Sequence, residues 1–221
     1  MRGLVRRLLR PLVYRIALKL RRIAERAAEE DLPRFGNRPR NLRIELPRRI
    51  YNADHIFIGD DVLLGPGSLL VAQKLYPSYV MQDPGRPRPV ERFDPKIRIG
   101  NRVTSTGGLT ISAVQEIVIE DDVMFAANVY VSDSLHGFAH ANEPYKYQPL
   151  WRIAPVRIGR GCWIGQNVVV LPNVTVGELS IVGANSVVTQ SIPPRSIAVG
   201  NPARVVNRWE EASGCWQPLT R

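Results

Sequence analysis

Aromatic side chains make up only 7% of this 221-residue chain, so its core has to be assembled from aliphatic residues instead of large rings. There are two cysteines, Cys162 and Cys215. That number excludes a disulfide framework and a thiolate metal cluster, and it fits a reducing compartment. Histidine is nearly as scarce, with only His55, His136 and His140. No stretch approaches the ~20 apolar residues that a membrane span requires. No uninterrupted apolar run follows the charged start, so a signal peptide is not expected.

Charge is present but unevenly placed. The net charge is +10, and residues 1–50 hold 15 of the 30 Lys/Arg but only 5 of the 20 Asp/Glu. The rest of the chain is therefore neutral, which argues against a nucleic-acid groove along its body. Within the basic part, Leu4, Leu8, Leu12, Ile16 and Leu20 recur four apart, with Val5, Leu9 and Val13 widening the stripe. Arg6, Arg7, Arg10, Arg15, Lys19, Arg22 and Arg26 occupy the remaining faces. The spacing predicts an amphipathic helix over about 1–30, with Pro11 breaking or kinking its first turns. Such a helix caps the first open coil of the body, or lies on an anionic leaflet with its arginines toward the headgroups.

The body is dominated by a repeat. Ile158, Ile164, Val170, Val176, Val182 and Val188 fall six apart, and Gly159, Gly165, Gly177 and Gly183 follow four of them. Earlier copies start at Ile58, Leu64, Ile99, Ile119 and Phe125. A period of six fits neither an α-helix nor simple strand alternation. It fits a chain that turns about 120° after each short strand, so that three hexads close one triangular coil. The aliphatic residue points inward and stacks on its equivalents one coil away. The small residue after it sits at the corner, where glycine suits both the space and the backbone conformation. An ordinary β-sandwich would show turn signals every ~8–12 residues instead. The expected fold is all-β: a single-stranded left-handed parallel β-helix of hexapeptide repeats, with an N-terminal amphipathic α-helix and projecting loops.

Two stretches leave the register. Residues 72–96 carry five prolines, and residues 133–155 are long and rich in aromatics in an aromatic-poor chain. Both read as loops thrown out from the column, where function tends to sit. The expected organisation is a basic helical segment over 1–46, the β-helix over 47–206 with these two loops, and a tail over 207–221. The tail, with Trp209, Cys215 and Trp216, packs on the column or frays.

Together, the hexads, His136-Gly137, Trp163-Ile164-Gly165, the run Val182 to Thr189, Ile192-Pro193-Pro194 and Gly200 to Val205 resemble the hexapeptide-repeat acyltransferases. The similarity is greatest to the galactoside/maltose and O-antigen/colanic-acid acetyltransferase branch, and it covers roughly 47–208. The resemblance implies transfer of an acetyl group from acetyl-CoA, as co-substrate, to a sugar hydroxyl of a surface polysaccharide or lipid-linked precursor, with no metal. It makes His136 the general base, since a neutral imidazole has an unperturbed pKa of ~6.5. His140 lines the same loop, and His55 belongs to the first coil without a chemical role. A backbone N–H at Gln166 would stabilise the oxyanion. Coenzyme A would lie between two columns against Trp163, Gln166, Ala184, Thr189 and Arg204, with Arg204 a phosphate clamp. Members of this family often have lysine where this chain has Gln190, and Arg195 is the candidate replacement. Thr106 and Asp133 are the acceptor-side candidates, Asp133 alternatively orienting the imidazole or, the favoured reading, only fixing the turn. The resemblance also implies a homotrimer. The cysteine count points to a cytoplasmic protein, the basic helix to peripheral contact at the inner face of a membrane, and the neutral body to a protein without nucleic acid.

Other readings differ in chemistry. N-acetylation of an amino sugar or amine-bearing small molecule uses the same apparatus. A non-catalytic β-helix used for assembly needs none of it. A zinc carbonic anhydrase on the same scaffold needs three converging histidines, and His55 is far in sequence from the His136/His140 pair.

Overall fold

The computed structural model describes residues 2–219, without the side chains of residues 2–8, 25, 26, 28, 29 and 79. It divides into two compact units, Met1–Pro33 and Arg34–Arg221.

The first unit is the helix Arg2–Glu30. Pro11 lies inside it, so the helix does not wait for the proline to begin. Proline removes one backbone donor, and the turns on either side continue without it. Leu12, Ile16 and Leu20 are each more than half exposed. Leu4, Val5, Arg6, Arg7, Leu8 and Arg26 lie outside the described side chains. No described helix is long and apolar enough to cross a membrane.

The second unit is almost entirely β. It starts ahead of the expected boundary at Pro47, because Arg43–Ile44 already pairs in parallel with Leu63–Leu64. Among the described residues, three large sheets of nine, six and five strands carry the body. The chain visits them in strict rotation. Val156–Ile158 belongs to the five-stranded sheet, Trp163–Ile164 to the nine-stranded and Val169–Val170 to the six-stranded, after which Thr175–Val176 returns to the first. Each strand pairs in parallel with its equivalent in the next turn.

This register stacks the hexad leaders. Ile58, Ile99, Ile119, Ile158 and Val176 align down one sheet, and all are 4% exposed or less. Leu70, Ile111, Val131, Val170 and Val188 do the same down another, each completely buried. Burying one such side chain contributes roughly 1.5–3 kcal/mol, so the column is held by many small equal terms. Cys162 lies in the same interior, and burial pushes its thiol up to about 11.

The corners work differently from the expectation. The glycine after each hexad leader is needed for space, not for conformation: a Cβ on Gly165 would sit 2.6 Å from the Ala184 nitrogen. The left-handed residue comes two positions later and is usually not glycine. Asn128, Asn167 and Asn185 have φ of 59°, 58° and 59°, a region asparagine tolerates. Their amides form a ladder up the corner, at 3.4 Å and 2.9 Å.

The outward faces differ in character. Down the nine-stranded sheet, Leu63, Thr104, Met124, Trp163, Ile181 and Ile197 align, a largely apolar row. On the five-stranded sheet the outward row is Phe57, Arg98, Val118, Arg157 and Thr175. There Arg98 and Arg157 pair with Glu116 and Glu120.

Through Leu219, the last described residue, the C-terminal tail packs on the column. Ser196–Gly200, Ala203–Glu210 and Cys215–Pro218 form an antiparallel extension of the nine-stranded sheet, pinned by an edge-to-face contact of Trp209 and Trp216.

Candidate active site

Each turn has three corners, and the candidate residues gather at two of them. Strands Leu69–Ala72 and Tyr130–Ser132 belong to the six-stranded sheet, and each is followed by an excursion before the chain re-enters the five-stranded sheet. Both loops, residues 73–95 and 133–155, therefore leave from the same corner, separated from each other by the short corner at Val114-Gln115.

The loops join. Leu135–His136 pairs antiparallel with Leu150–Trp151, and Leu75–Tyr76 with Glu91–Arg92, so each excursion begins as a small ribbon. Arg88 on one loop forms a two-pronged ion pair with Glu143 on the other, at 2.6 and 2.9 Å. Gln148 is fully buried. Its side-chain amide donates to the carbonyls of His140 and Glu143 and accepts from the His140 N–H. Tyr76, 1% exposed, reaches across with its hydroxyl 3.0 Å from Nδ1 of His136. The same hydroxyl donates to the Gln148 carbonyl at 3.0 Å. Desolvation by burial raises the Tyr76 pKa, so the phenol keeps its proton at neutral pH.

His136 is exposed and, among the described residues, its imidazole bonds only through Nδ1, leaving Nε2 without a partner. His140 is exposed on the same loop and engaged through its main chain. The Nδ1 of His55 lies 3.0 Å from the Pro95 carbonyl, at the far end of the first excursion.

Asp133 is not placed to touch an acceptor. It is completely buried, and its two oxygens accept the N–H groups of Val114 and Gln115 on the turn below. Desolvation raises its pKa and the backbone donors oppose the rise. Its role is to fix the start of the excursion, so the acceptor-side expectation is corrected in favour of the turn.

The second corner lies between the nine- and six-stranded sheets and holds Thr106, Gln166 and Ala184, all exposed. Here three successive turns each leave one donor open, whereas the equivalent N–H of Gly107, one turn earlier, donates to the Ser105 hydroxyl. Gly165 and Asn167 donate to Val182 and Ala127, and Gly183 and Asn185 donate to Ala198 and Gln166. Between them, the N–H groups of Ala127, Gln166 and Ala184 have no acceptor among the described residues. Trp163 stands beside this corner, 47% exposed, and Arg204 pairs with Val199 at its upper end. Gly183, in turn, lies against Val199.

Two expected members lie elsewhere. Thr189 follows Val187–Val188 and so sits at the corner of the excursions, not with Gln166 and Ala184. Arg195 forms an exposed ion pair with Glu211 of the tail. Sequence reasoning missed Tyr76 and Gln148. Their only signal was membership of aperiodic loops. Among the described residues no group of three or more His, Cys, Asp or Glu could hold a metal ion.

A family profile described as bacterial transferase hexapeptide (six repeats) matches residues 155–190. A Schizosaccharomyces pombe protein, provisionally named an acetyltransferase, is 32% identical over 161 residues, covering 69% of this chain and 75% of that one. The galactoside O-acetyltransferase of Escherichia coli is 36% identical over 118 residues, 52% of this chain and 55% of that one. The chain spans about a third to a half of the length of several such relatives. A solved structure of a mutant AntD, an N-acyltransferase from Bacillus cereus in complex with dTDP and coenzyme A, superimposes with a TM-score of 0.63 at 20% identity. That match covers 81% of this chain and 87% of that one.

Proposed function

This chain belongs to the hexapeptide-repeat acetyltransferases, and on that premise we propose that it transfers an acetyl group from acetyl-CoA to a sugar hydroxyl. His136 is the general base. The column is wound left-handed, the hand implied by the family resemblance, and it works as a homotrimer.

The observation that carries this reading is the separation of the two corners. His136 stands at one, with Nε2 unpartnered. The open N–H of Gln166 stands at the other, across the width of the six-stranded sheet. One chain does not join them, whereas neighbouring copies set corner to corner do. The apolar outward row of Leu63, Met124 and Trp163 supports such packing, because exposed apolar surface favours burial between copies.

The Gln166 corner fits a thioester ligand with amide groups and phosphates. The N–H groups of Ala127 and Ala184 offer hydrogen bonds along an extended chain, Trp163 offers a wall, and Arg204 offers charge for phosphate. Thr189 would join from the neighbouring copy. The thioester supplies an acyl carbon open to attack. Nε2 of His136 takes the proton as the acceptor oxygen attacks, and the Gln166 N–H receives the developing negative charge, a donor typically worth about 3 kcal/mol of barrier. Thr106, exposed on the Gln166 corner, is the acceptor-side candidate.

His136→Ala should keep its melting temperature and lose roughly 10²–10⁴ in turnover, read as free thiol released from acetyl-CoA with a panel of sugar hydroxyls and amines. Near-normal release would discard the base. Release with amines alone would replace the hydroxyl acceptor by an amino sugar or a small amine.

The helix Arg2–Glu30 supplies the second part of the reading. Leu12, Ile16 and Leu20 are exposed on one face and arginines occupy others, the pattern of an interfacial helix. The full chain should sediment with vesicles containing phosphatidylserine and not with phosphatidylcholine alone, and should lose this when Ile16→Glu and Leu20→Glu are combined. Binding to neither vesicle would overturn the interfacial reading, and equal binding to both would remove the arginines from it.

A further inference from the structure

We propose that Tyr76 is a positioning residue that holds His136 as the Nδ1–H tautomer and so leaves the basic lone pair on Nε2. This deepens the reading above and rests on His136 being the base.

A phenol has a single hydrogen to donate. The Tyr76 hydroxyl lies 3.0 Å from the Gln148 carbonyl and 3.4 Å from the Lys146 carbonyl, and carbonyl oxygens only accept. No other described group donates to the Gln148 carbonyl. The hydrogen of the phenol therefore goes to Gln148, and the 3.0 Å contact with His136 must run the other way, Nδ1–H donating to the phenol oxygen. The reverse arrangement would leave both carbonyls without a hydrogen and would put the imidazole proton on Nε2, where it blocks catalysis. Packing keeps Tyr76 in this orientation. It is only 1% exposed, and its ring stands 5.7 Å from the imidazole, tilted by 53°.

During the reaction no proton passes along this chain of hydrogen bonds. Nε2 takes the acceptor's proton as the oxygen–carbon bond forms and the carbon–sulfur bond breaks, then returns it to the departing thiolate. The Nδ1–H and the phenol O–H stay in place, and the phenol oxygen supports the transient imidazolium, much as the third member of a catalytic triad orients its histidine.

Two measurements test this. In the unmodified protein, nitrogen NMR should give His136 a protonated Nδ1 and a bare Nε2. In Tyr76→Phe, which keeps the ring and its packing, the tautomer should move toward Nε2–H, which is the commoner form in free histidine. Turnover should then fall roughly 10- to 100-fold with KM and melting temperature little changed.

A bare Nδ1 in the unmodified protein would overturn the proposal. So would lost turnover with an unchanged tautomer. If His136→Ala stays active while the NMR result holds, the base assignment fails and the tautomer lock stands as a structural fact alone.

Discussion

Residues 155–190 and the paired excursions at 73–95 and 133–155 are built on opposite principles. In the first region every turn repeats the last: leaders stack in register, corners are short, and each inward aliphatic side chain has a near-copy one turn away. In the second nothing repeats. The contacts there are single: Tyr76 to His136 and to Gln148, and Arg88 to Glu143, join the separate loops, while Gln148 reaches back to His140 within its own. Each property resides in its own region. A repeat distributes stability evenly and creates regular surfaces, including a line of open N–H groups. A side chain that has to stand alone, such as a base, is carried where the repeat is interrupted.

That division fails if damage to the two regions has similar consequences. The largest effect is expected from Ile158→Asp. Ile158 is fully buried and lies between Ile119 and Val176 in register. An unpaired carboxylate there costs several kcal/mol, and the lost apolar burial adds roughly 1.5–3. Domains are stable by only about 5–15 kcal/mol. Loss of the β signal in circular dichroism, or a protein recovered only as aggregate, is expected. A cooperative melt within a few degrees of the parent would show that neighbouring turns compensate, and the even distribution of stability would have to be abandoned.

The same contrast explains what could be read from the sequence. Inward positions were legible because spacing by six has one physical meaning, and Ile58, Ile99, Ile119 and Ile158 do stack. The extent of both excursions was legible from where that spacing stops. Corner chemistry was half legible. Glycine marked the corner, but its cause at Gly165 is the approach of the next turn, while the left-handed backbone falls to Asn167. Which corner a residue occupies follows from counting strands, and Thr189 lands one corner from Ala184 for that reason. The partners within the loops were not legible. Nothing periodic links Tyr76 to a histidine 60 positions away, and nothing in the neighbourhood of Arg195 announces its pairing with Glu211 in the tail.

A smaller and more local effect is expected from Gln148→Ala. The amide of Gln148 closes the second excursion on itself through three hydrogen bonds of 2.8 to 3.1 Å, and its backbone carbonyl receives the Tyr76 hydroxyl. Truncation leaves the His140 N–H and the Glu143 carbonyl without these partners next to a small void, while the His140 carbonyl keeps the Glu143 N–H at 3.4 Å. Each buried group stranded in this way costs about 1–3 kcal/mol, reduced here because His140 is exposed to water. None of these bonds touches the stacked leaders. The variant should therefore keep its β signal and lose only a few degrees of melting temperature, a loss of about 1 kcal/mol corresponding to ~2–4 °C at this size. Limited proteolysis should cut within 137–147 before anywhere in 155–190. Turnover should fall further than stability does, because the loop that orients His136 loosens while the column stands. If the column melts together with the loop, the excursions are part of the cooperative core, and the division of labour drawn between the two regions is wrong.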